Sequence, residues 1–302
     1  MLIFWGRLFG RSVWALRAFS AVLGALTVGA IYYVGSRLFD RATGLLASAL
    51  LALSSAHWVY SQEMRMYTLL TLCLALLLEL FHRYGFRREN WSWRHWVALV
   101  GLEALAVYTH FFAVFALAAL ALWLVGQLLW EARRGDFRPL LRWLASQFVA
   151  LSIYMPWFSV ALERAATHTT LAQGTPGLGP FLLSSWSFLL GGHIALQGRE
   201  RAYALFMTLA AAALLVAGGL ALLRDKRRAT AAYLWAQFLL PQLGVYALMV
   251  VRPGYHPRYI FMVILPLVLL VARAIISIAR SPRLYWAAGL ALAVTWFSAN
   301  GL

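Results

Sequence analysis

Long apolar runs separated by short polar clusters make up almost the whole chain. Most of the runs hold about 18 to 24 residues, which is the length of an α-helix that crosses a hydrocarbon core about 30 Å thick. The predicted spans are Val13–Arg37, Ala42–Tyr60, Met64–Phe81, His95–Tyr108, Phe111–Trp130, Trp143–Ala161, Ala202–Leu223, Ala231–Val251, Tyr259–Ile276 and Leu284–Ser298. The pattern predicts an all-α, polytopic integral membrane protein with about ten transmembrane helices.

One connection is much longer than the others. Residues 162–201 include the turn-rich run Gly174–Pro180 and the apolar segment Phe181–Leu190. That segment is too short to cross a bilayer, so we expect an interfacial or re-entrant helix. The sequence therefore predicts a single transmembrane domain, 1–302, with an outer loop at 162–201 that carries this short helix.

Composition excludes an ordinary soluble domain. Of 302 residues, 63% are hydrophobic and 12% are charged, whereas soluble domains carry about 25% charged residues. The net charge of +16 comes from short basic clusters between apolar runs, which argues for a lipid bilayer as partner and against nucleic acid. The single cysteine, Cys73, excludes a disulfide within the chain.

The basic residues also predict an orientation. One set of alternate connections holds sixteen Lys and Arg residues, and the other set holds six, with Arg7, Arg11 and Arg17 near the start in addition. Short cytoplasmic loops carry the excess of basic residues in membrane proteins. We therefore predict a multi-pass protein of the cell (inner or plasma) membrane with its N-terminus outside. The unusual polar motifs then lie on the outer side.

The motif Ser61–Tyr67 (SQEMRMY) joins two apolar helices with almost no loop. Glu63 and Arg65 must therefore lie at the outer membrane boundary, where charges are costly and often functional. Two interpretations stay open at this point. Arg65 binds an anion, or the two side chains form an ion pair that closes a tight helical hairpin.

The Tyr108-Thr109-His110 motif interrupts a long apolar run and predicts a helix break. Glu103 precedes His110 by seven residues. An unbroken helix would place both on one face, directed toward the protein interior. His110 is then either a packing residue with Glu103 as its buried partner or part of a functional site.

The segment 252–259 (RPGYHPRY) forms an outer turn followed at once by an apolar helix. Arg258 would lie at the N-terminus of that helix, where backbone N–H groups and a guanidinium suit a phosphate. The alternative is an arginine whose head group merely extends to the membrane interface.

Taken in order, SQEMRMY, YTHFF and HPRYIFM before a proline-containing helix resemble the membrane glycosyltransferases of the GT-C superfamily. The nearest branch is the bacterial family 39 and aminoarabinose-transferase-like proteins, of the dolichyl- or polyprenyl-phosphate-mannose type. The resemblance covers most of the chain. It implies transfer of a sugar, mannose or a related hexose, from a polyprenyl-phosphate donor to a lipid, glycan or protein acceptor at the outer face, with inversion.

The resemblance also implies roles for particular residues. Arg65, Arg258 and Tyr259 would surround the donor phosphate, and Glu63 would line the same cavity. Glu63 is a candidate catalytic base only because the acidic residue that serves as base in relatives is absent from this chain. The other residues expected to line the same cavity are Tyr67, Tyr108, His110, His256 and Glu103. We predict no metal ligands and no certain cofactor, although relatives differ in their use of a divalent metal.

The chain departs from the family pattern at its start. Relatives begin with an additional helix and a first outer loop with an acidic residue, commonly Asp-Glu, that acts as base or orients the acceptor. Here no Asp or Glu precedes Asp40, which we place on the cytoplasmic side. The sequence thus predicts that this helix and loop are missing from the chain.

Three hypotheses on function stay open at this point: an active transferase, an inactive remnant that binds polyprenyl phosphate, and a transporter or lipid flippase.

Overall fold

The fold is that of a computed structural model, described for residues 2–87, 91–167, 176–191, 209–210, 212–216, 219, 227–251, 256–279, 281, 283–284 and 286–291. Every regular element in these ranges is helical. The helices are α1 (Leu2–Phe9), α2 (Val13–Leu38), α3 (Arg41–Ala52), α4 (Ser55–Gln62), α5 (Tyr67–His82), a π-helical turn (Arg83–Arg87), α6 (Trp93–Thr109), α7 (Ala113–Ala132), α8 (Arg138–Thr167), α9 (Leu178–Gly191), α10 (Arg228–Val251), a 3₁₀ helix (Pro257–Val263) and α11 (Ile264–Ile278).

Five of the described helices are long and apolar enough to cross a membrane, or six if the bent pair α3 and α4 counts as one span. The all-α, multi-pass prediction is therefore confirmed. The count of ten is not reached among the described residues, for three reasons. Helix α6 has only 17 residues, and α8, which contains the predicted span Trp143–Ala161, is long enough but not among the helices that are apolar enough. Large parts of the predicted spans Ala202–Leu223 and Leu284–Ser298 lie outside the described residues.

The predicted single span Ala42–Tyr60 is divided into two helices, which meet at a bend of 60°. Ser54 causes the new start, since its hydroxyl accepts a hydrogen bond from the His57 N–H at 3.4 Å and caps α4. Helix α4 then packs against α2, α5 and α9. Hydropathy does not reveal this bend, because it depends on a serine side chain that competes for backbone hydrogen bonds.

Helix α11 lies at the centre of the bundle, and residues 260–272 are buried without interruption. Helices α2 and α3 cross beside it at nearly backbone distance. A Cβ atom added to Gly35 would lie 2.7 Å from the Gly44 Cα. Small residues at such crossings allow close packing where lipid provides no hydrophobic driving force.

Ion pairs cluster at the end of α11 that carries Arg273. Arg273 binds Asp40 at 2.7 Å, and the buried Glu79 binds Arg83 at 2.7 Å and Arg37 at 4.0 Å. Of these residues, Arg37, Asp40 and Arg83 are ones that the charge pattern assigns to the cytoplasmic side. They lie at the opposite end of the central helix from the polar outer motifs.

The predicted outer loop 162–201 is described only in part. Helix α8 continues to Thr167, and residues 168–175 and 192–201 lie outside the described residues. The short apolar segment is the 14-residue helix α9. It packs against α4 and the 3₁₀ helix, and it buries Phe181 and Phe188, so its apolar face contacts protein.

Candidate functional site

The SQEMRMY motif forms the tight connection between α4 and α5. Helix α4 ends at Gln62 and α5 begins at Tyr67. The Glu63 Oε2 and the Arg65 Nε lie 3.4 Å apart, with 36% of the Glu63 side chain and 50% of the Arg65 side chain exposed. The positive charge of Arg65 acts on the buried Tyr67 hydroxyl. The predicted ion pair is therefore present, and it leaves half of Arg65 accessible.

His110 lies in the break between α6 and α7. Its backbone is extended, with φ −155° and ψ 126°, and its ring Nδ1 accepts a hydrogen bond from the Phe112 N–H at 3.1 Å. The ring lies 5.4 Å from the Tyr67 ring. Burial, and then the positive charge of Arg258, lower the pKa of His110 to about 4. His110 is therefore a neutral imidazole at pH 7.

Arg258 lies at the start of the 3₁₀ helix that leads into α11. The Nδ1 of His256 accepts a hydrogen bond from the Arg258 N–H at 3.2 Å, and the His256 carbonyl accepts one from the Tyr259 N–H at 3.0 Å. Arg258 is half-buried. Among the described residues, no carboxylate forms an ion pair with its guanidinium.

This geometry changes one expectation from the sequence. Backbone N–H groups at the start of this helix were expected to contribute to a phosphate site. The Arg258 and Tyr259 N–H groups are instead occupied by the ring and carbonyl of His256. An anion here would therefore be held by side chains.

An aromatic cluster brings the three motifs together. The rings of Phe112 and Tyr259 stack at 4.3 Å with an interplanar angle of 8°, and Tyr67 lies 6.1 Å from Phe261. The charges of Arg65 and Arg258 both act on the Tyr67 hydroxyl. The predicted residues that the fold gathers in this way are Glu63, Arg65, Tyr67, His110, His256, Arg258 and Tyr259.

Three aromatic residues of this cluster were not recognised in the sequence. Tyr60 is 1% exposed and lies 4.5 Å from the Tyr67 ring and 4.7 Å from the Phe261 ring. Phe188 of α9 lies 5.9 Å from Tyr60. Tyr60 and Tyr67 flank SQEMRM on either side, and this symmetric placement could have identified Tyr60 from the sequence. Phe188 and Phe261 lie in apolar segments, where nothing in the sequence distinguishes them from other apolar residues.

Tyr108 and Glu103 lie apart from the gathered residues. The Tyr108 hydroxyl donates to the Ile153 carbonyl at 2.8 Å on α8. The buried carboxylate of Glu103 accepts bonds of 3.1 Å from the Gln147 amide, so the proposed pairing of Glu103 with His110 is wrong. Helix α6 ends at Thr109 and His110 has an extended backbone. The seven-residue spacing therefore does not put Glu103 and His110 on one helix face.

Glu103 belongs to a cavity of about 470 Å³ between α6, α7 and α8. Apart from Glu103 and Gln147, the residues that line it are apolar or aromatic, and they include Phe111, Leu117, Leu151 and Phe158. The cavity extends from the middle of α6 to the His110 break. Sequence periodicity did not predict it, because its walls depend on how three consecutive helices pack against one another.

The structure contains no evident metal centre within its described ranges, where no three His, Cys, Asp or Glu side chains lie together as metal ligands. His168 and His193 fall outside these ranges. The divalent metal therefore stays a sequence-based alternative.

The geometry can be compared with known proteins. The family described as dolichyl-phosphate-mannose-protein mannosyltransferase matches residues 1–159. The fold resembles that of ArnT from Cupriavidus metallidurans in the apo state, with a TM-score of 0.64, 20% identity and coverage of 96% of this chain and 50% of that chain. ArnT bound to undecaprenyl phosphate matches with a TM-score of 0.64, 19% identity and the same coverages, 96% and 50%.

The chain thus spans half the length of these ArnT chains. No curated protein sequence matches it. The family match covers more than half of the 302 residues and includes Glu63, Arg65 and His110. Together with the helical, multi-pass fold, this match confirms the resemblance seen in the sequence motifs. The chain belongs to the dolichyl-phosphate-mannose-protein mannosyltransferase family of GT-C membrane glycosyltransferases.

Proposed function

We propose that this chain transfers a sugar from a polyprenyl-phosphate donor to an acceptor at the outer face of the membrane, and that Arg65 and Arg258 bind the donor phosphate. One observation carries the proposal. The positive charges of two guanidiniums from distant parts of the sequence act on the same two buried tyrosines, Tyr60 and Tyr67. Arg258 is half-buried and forms no ion pair with a described carboxylate. A half-buried cation of this kind suits an anionic ligand.

The chemistry requires charge stabilisation at this position. An acceptor hydroxyl attacks the anomeric carbon, and the bond between that carbon and the phosphate oxygen breaks. Negative charge therefore grows on the departing polyprenyl phosphate. Cations that are already in place stabilise such charge without reorganisation. Arg65 and Arg258 would supply this stabilisation, and the surrounding aromatic rings would keep water from the phosphate.

The acceptor proton needs a base. Glu63 is the carboxylate of the described cluster, but its contact with Arg65 at 3.4 Å holds it against a phosphate-binding group. Glu63 therefore stays a candidate only. A base from outside the described residues, as in relatives with an acidic first loop, is the alternative. The sugar, the lipid, glycan or protein acceptor, and a divalent metal all belong to this proposal as open choices.

The first test is binding of undecaprenyl phosphate to purified wild-type, Arg258→Ala and Arg65→Ala proteins. Hydrogen bonds to charged groups contribute about 1.5 to 3 kcal/mol, so we expect each variant to lose at least about tenfold in affinity. Arg134→Ala is the matched control, because Arg134 stacks on Trp130 at 3.6 Å at the predicted cytoplasmic end of α7. Equal affinity for the wild-type protein and all three variants would contradict the proposed site.

Transfer is measured in vesicles with synthetic polyprenyl-phosphate-mannose that carries radiolabelled mannose. Incorporation that depends on Arg65 and Arg258 supports the transferase. Donor binding without incorporation indicates the inactive remnant. Accumulation of a lipid or solute in sealed vesicles without glycosidic bond formation would favour the transporter or flippase.

A further inference from the structure

His110 and His256 are used in the same way at two helix starts. Each has an extended backbone and accepts, through its ring Nδ1, the N–H of the residue two positions later. A neutral imidazole has one donor nitrogen and one acceptor nitrogen. Because Nδ1 accepts in both rings, the proton of each neutral ring must be on Nε2. The backbone thereby fixes the tautomer of both histidines.

The Nε2–H group of His110 has no acceptor among the described residues. Its ring is half-buried and has Tyr67 and Phe112 as neighbours, at centroid distances of 5.4 Å and 5.5 Å. The charge of Arg258 reaches the same ring, and burial together with that charge keeps it neutral, with a pKa of about 4. A fixed, uncharged donor therefore lies beside the arginine that we assign to the donor phosphate.

We propose that His110 is a positioning residue whose Nε2–H donates a hydrogen bond to a phosphate oxygen of the lipid-linked donor. This inference rests on the function proposed above. Two guanidiniums already supply positive charge for a phosphodiester of charge −1. A neutral donor adds direction to the binding of that phosphate, and its hydrogen bond strengthens as negative charge grows on the departing phosphate.

The amides of asparagine and glutamine separate the two roles of the ring. In His110→Asn the side-chain oxygen takes the place of Nδ1, so the hydrogen bond to the Phe112 N–H is kept and the Nε2–H is lost. In His110→Gln the side-chain amide nitrogen takes the place of Nε2, so the N–H group that would bind phosphate is kept and the hydrogen bond to the Phe112 N–H is lost. The proposal predicts that His110→Asn binds the donor about tenfold more weakly. It also predicts that His110→Gln stays within about threefold of the wild-type affinity.

The probe is synthetic polyprenyl-phosphate-mannose, because its phosphodiester keeps one charge between pH 5 and 8. The groups that act on His110 from the packed elements are Tyr67 of α5 and Arg258 of the 3₁₀ helix. Tyr259 stacks on Phe112, and the titratable ring of His256 lies 6.2 Å from Tyr259, so His110→Gln is titrated beside the wild-type protein to separate any contribution of His256. Arg65 lies next to Tyr67. A neutral His110 predicts a wild-type affinity that does not change with pH over this range. An imidazolium acting as a cation would instead strengthen binding as the pH falls below about 6.5.

The outcomes separate this inference from the proposed function. Loss of binding in Arg258→Ala with unchanged binding in His110→Asn overturns the role of His110 and leaves the proposed function intact. Equal losses in His110→Asn and His110→Gln show that the ring is only structural and also overturn it. Unchanged binding in Arg258→Ala and Arg65→Ala overturns the proposed function itself. The wild-type pH profile supplies a test that depends on no variant.

Discussion

At the residue scale, the clearest feature is that only one of the two arginines proposed to bind phosphate is paired with a described carboxylate. Glu63 and Arg65 are in contact at 3.4 Å, whereas no described carboxylate pairs with Arg258. The sequence offered an ion pair and an anion site as alternative interpretations of Glu63 and Arg65. The structure allows both interpretations in turn: Arg65 pairs with Glu63 when no ligand is bound, and a bound phosphate would displace Glu63 from the same guanidinium.

This competition predicts that Glu63→Gln strengthens binding of undecaprenyl phosphate. Partly exposed ion pairs contribute about 0.2 to 1 kcal/mol, so the gain should not exceed about fivefold. Titration of the purified variant beside the wild-type protein measures it. A decrease in affinity would show that Glu63 positions Arg65 instead of competing with phosphate. Loss of sugar transfer without loss of donor affinity would support Glu63 as the base.

At the element scale, close helix crossings decide where the polar ends of the helices meet. Gly35 and Gly44 lie where α2 crosses α3, and a Cβ atom on Gly44 would lie 2.5 Å from the Tyr32 carbonyl oxygen. The same helix α3 is capped by Asp40, whose carboxylate accepts a hydrogen bond from the Thr43 N–H at 2.8 Å. The crossing therefore also sets the position of Asp40 against α11.

We expect Gly44→Ala to destabilise the protein by about 1 to 3 kcal/mol, because the added methyl group meets backbone atoms that cannot move without separating the helices. Gly29→Ala is the matched control. Gly29 is in α2 with no atom within 4 Å of an added Cβ, so this change should be neutral or slightly stabilising. Thermal unfolding in detergent compares the two variants. Equal melting temperatures would show that α2 and α3 separate at little cost.

At the scale of the whole molecule, charge divides the bundle into two ends. Asp40, Glu79 and Arg273 form their contacts at one end of α11, and Arg258 is at the other. The 3₁₀ helix and α11 together span 22 residues. That length corresponds to about 36 Å, which is enough to cross a membrane core about 30 Å thick. The predicted orientation places the candidate site outside.

Labelling with a membrane-impermeant maleimide tests this orientation in intact cells. Met64→Cys and Asp136→Cys place an exposed thiol at opposite ends of the bundle. The natural Cys73 is 1% exposed and should give little background. We expect Met64→Cys to react from outside and Asp136→Cys to react only after the membrane is permeabilised. The reverse pattern would invert the topology and place the site on the cytoplasmic side.

The sequence by itself determined the class of the protein and the position of most candidate residues along the chain. Apolar length sets whether a helix can cross a membrane, and the cost of a charge near the hydrocarbon core singles out Arg65 and Arg258. These properties depend on local composition, so they can be recognised without a structure. The motif order, for the same reason, was sufficient to indicate the family.

Only the tertiary structure decided which candidates meet. It placed His110 beside Tyr67 and directed Tyr108 and Glu103 toward α8, because a helix break rotates the residues that follow it relative to those before. It also showed that His256 occupies the backbone N–H groups of Arg258 and Tyr259 that were expected to bind phosphate. Contacts between helices that are distant in sequence arise from side-chain packing, and no periodicity along one chain segment records them.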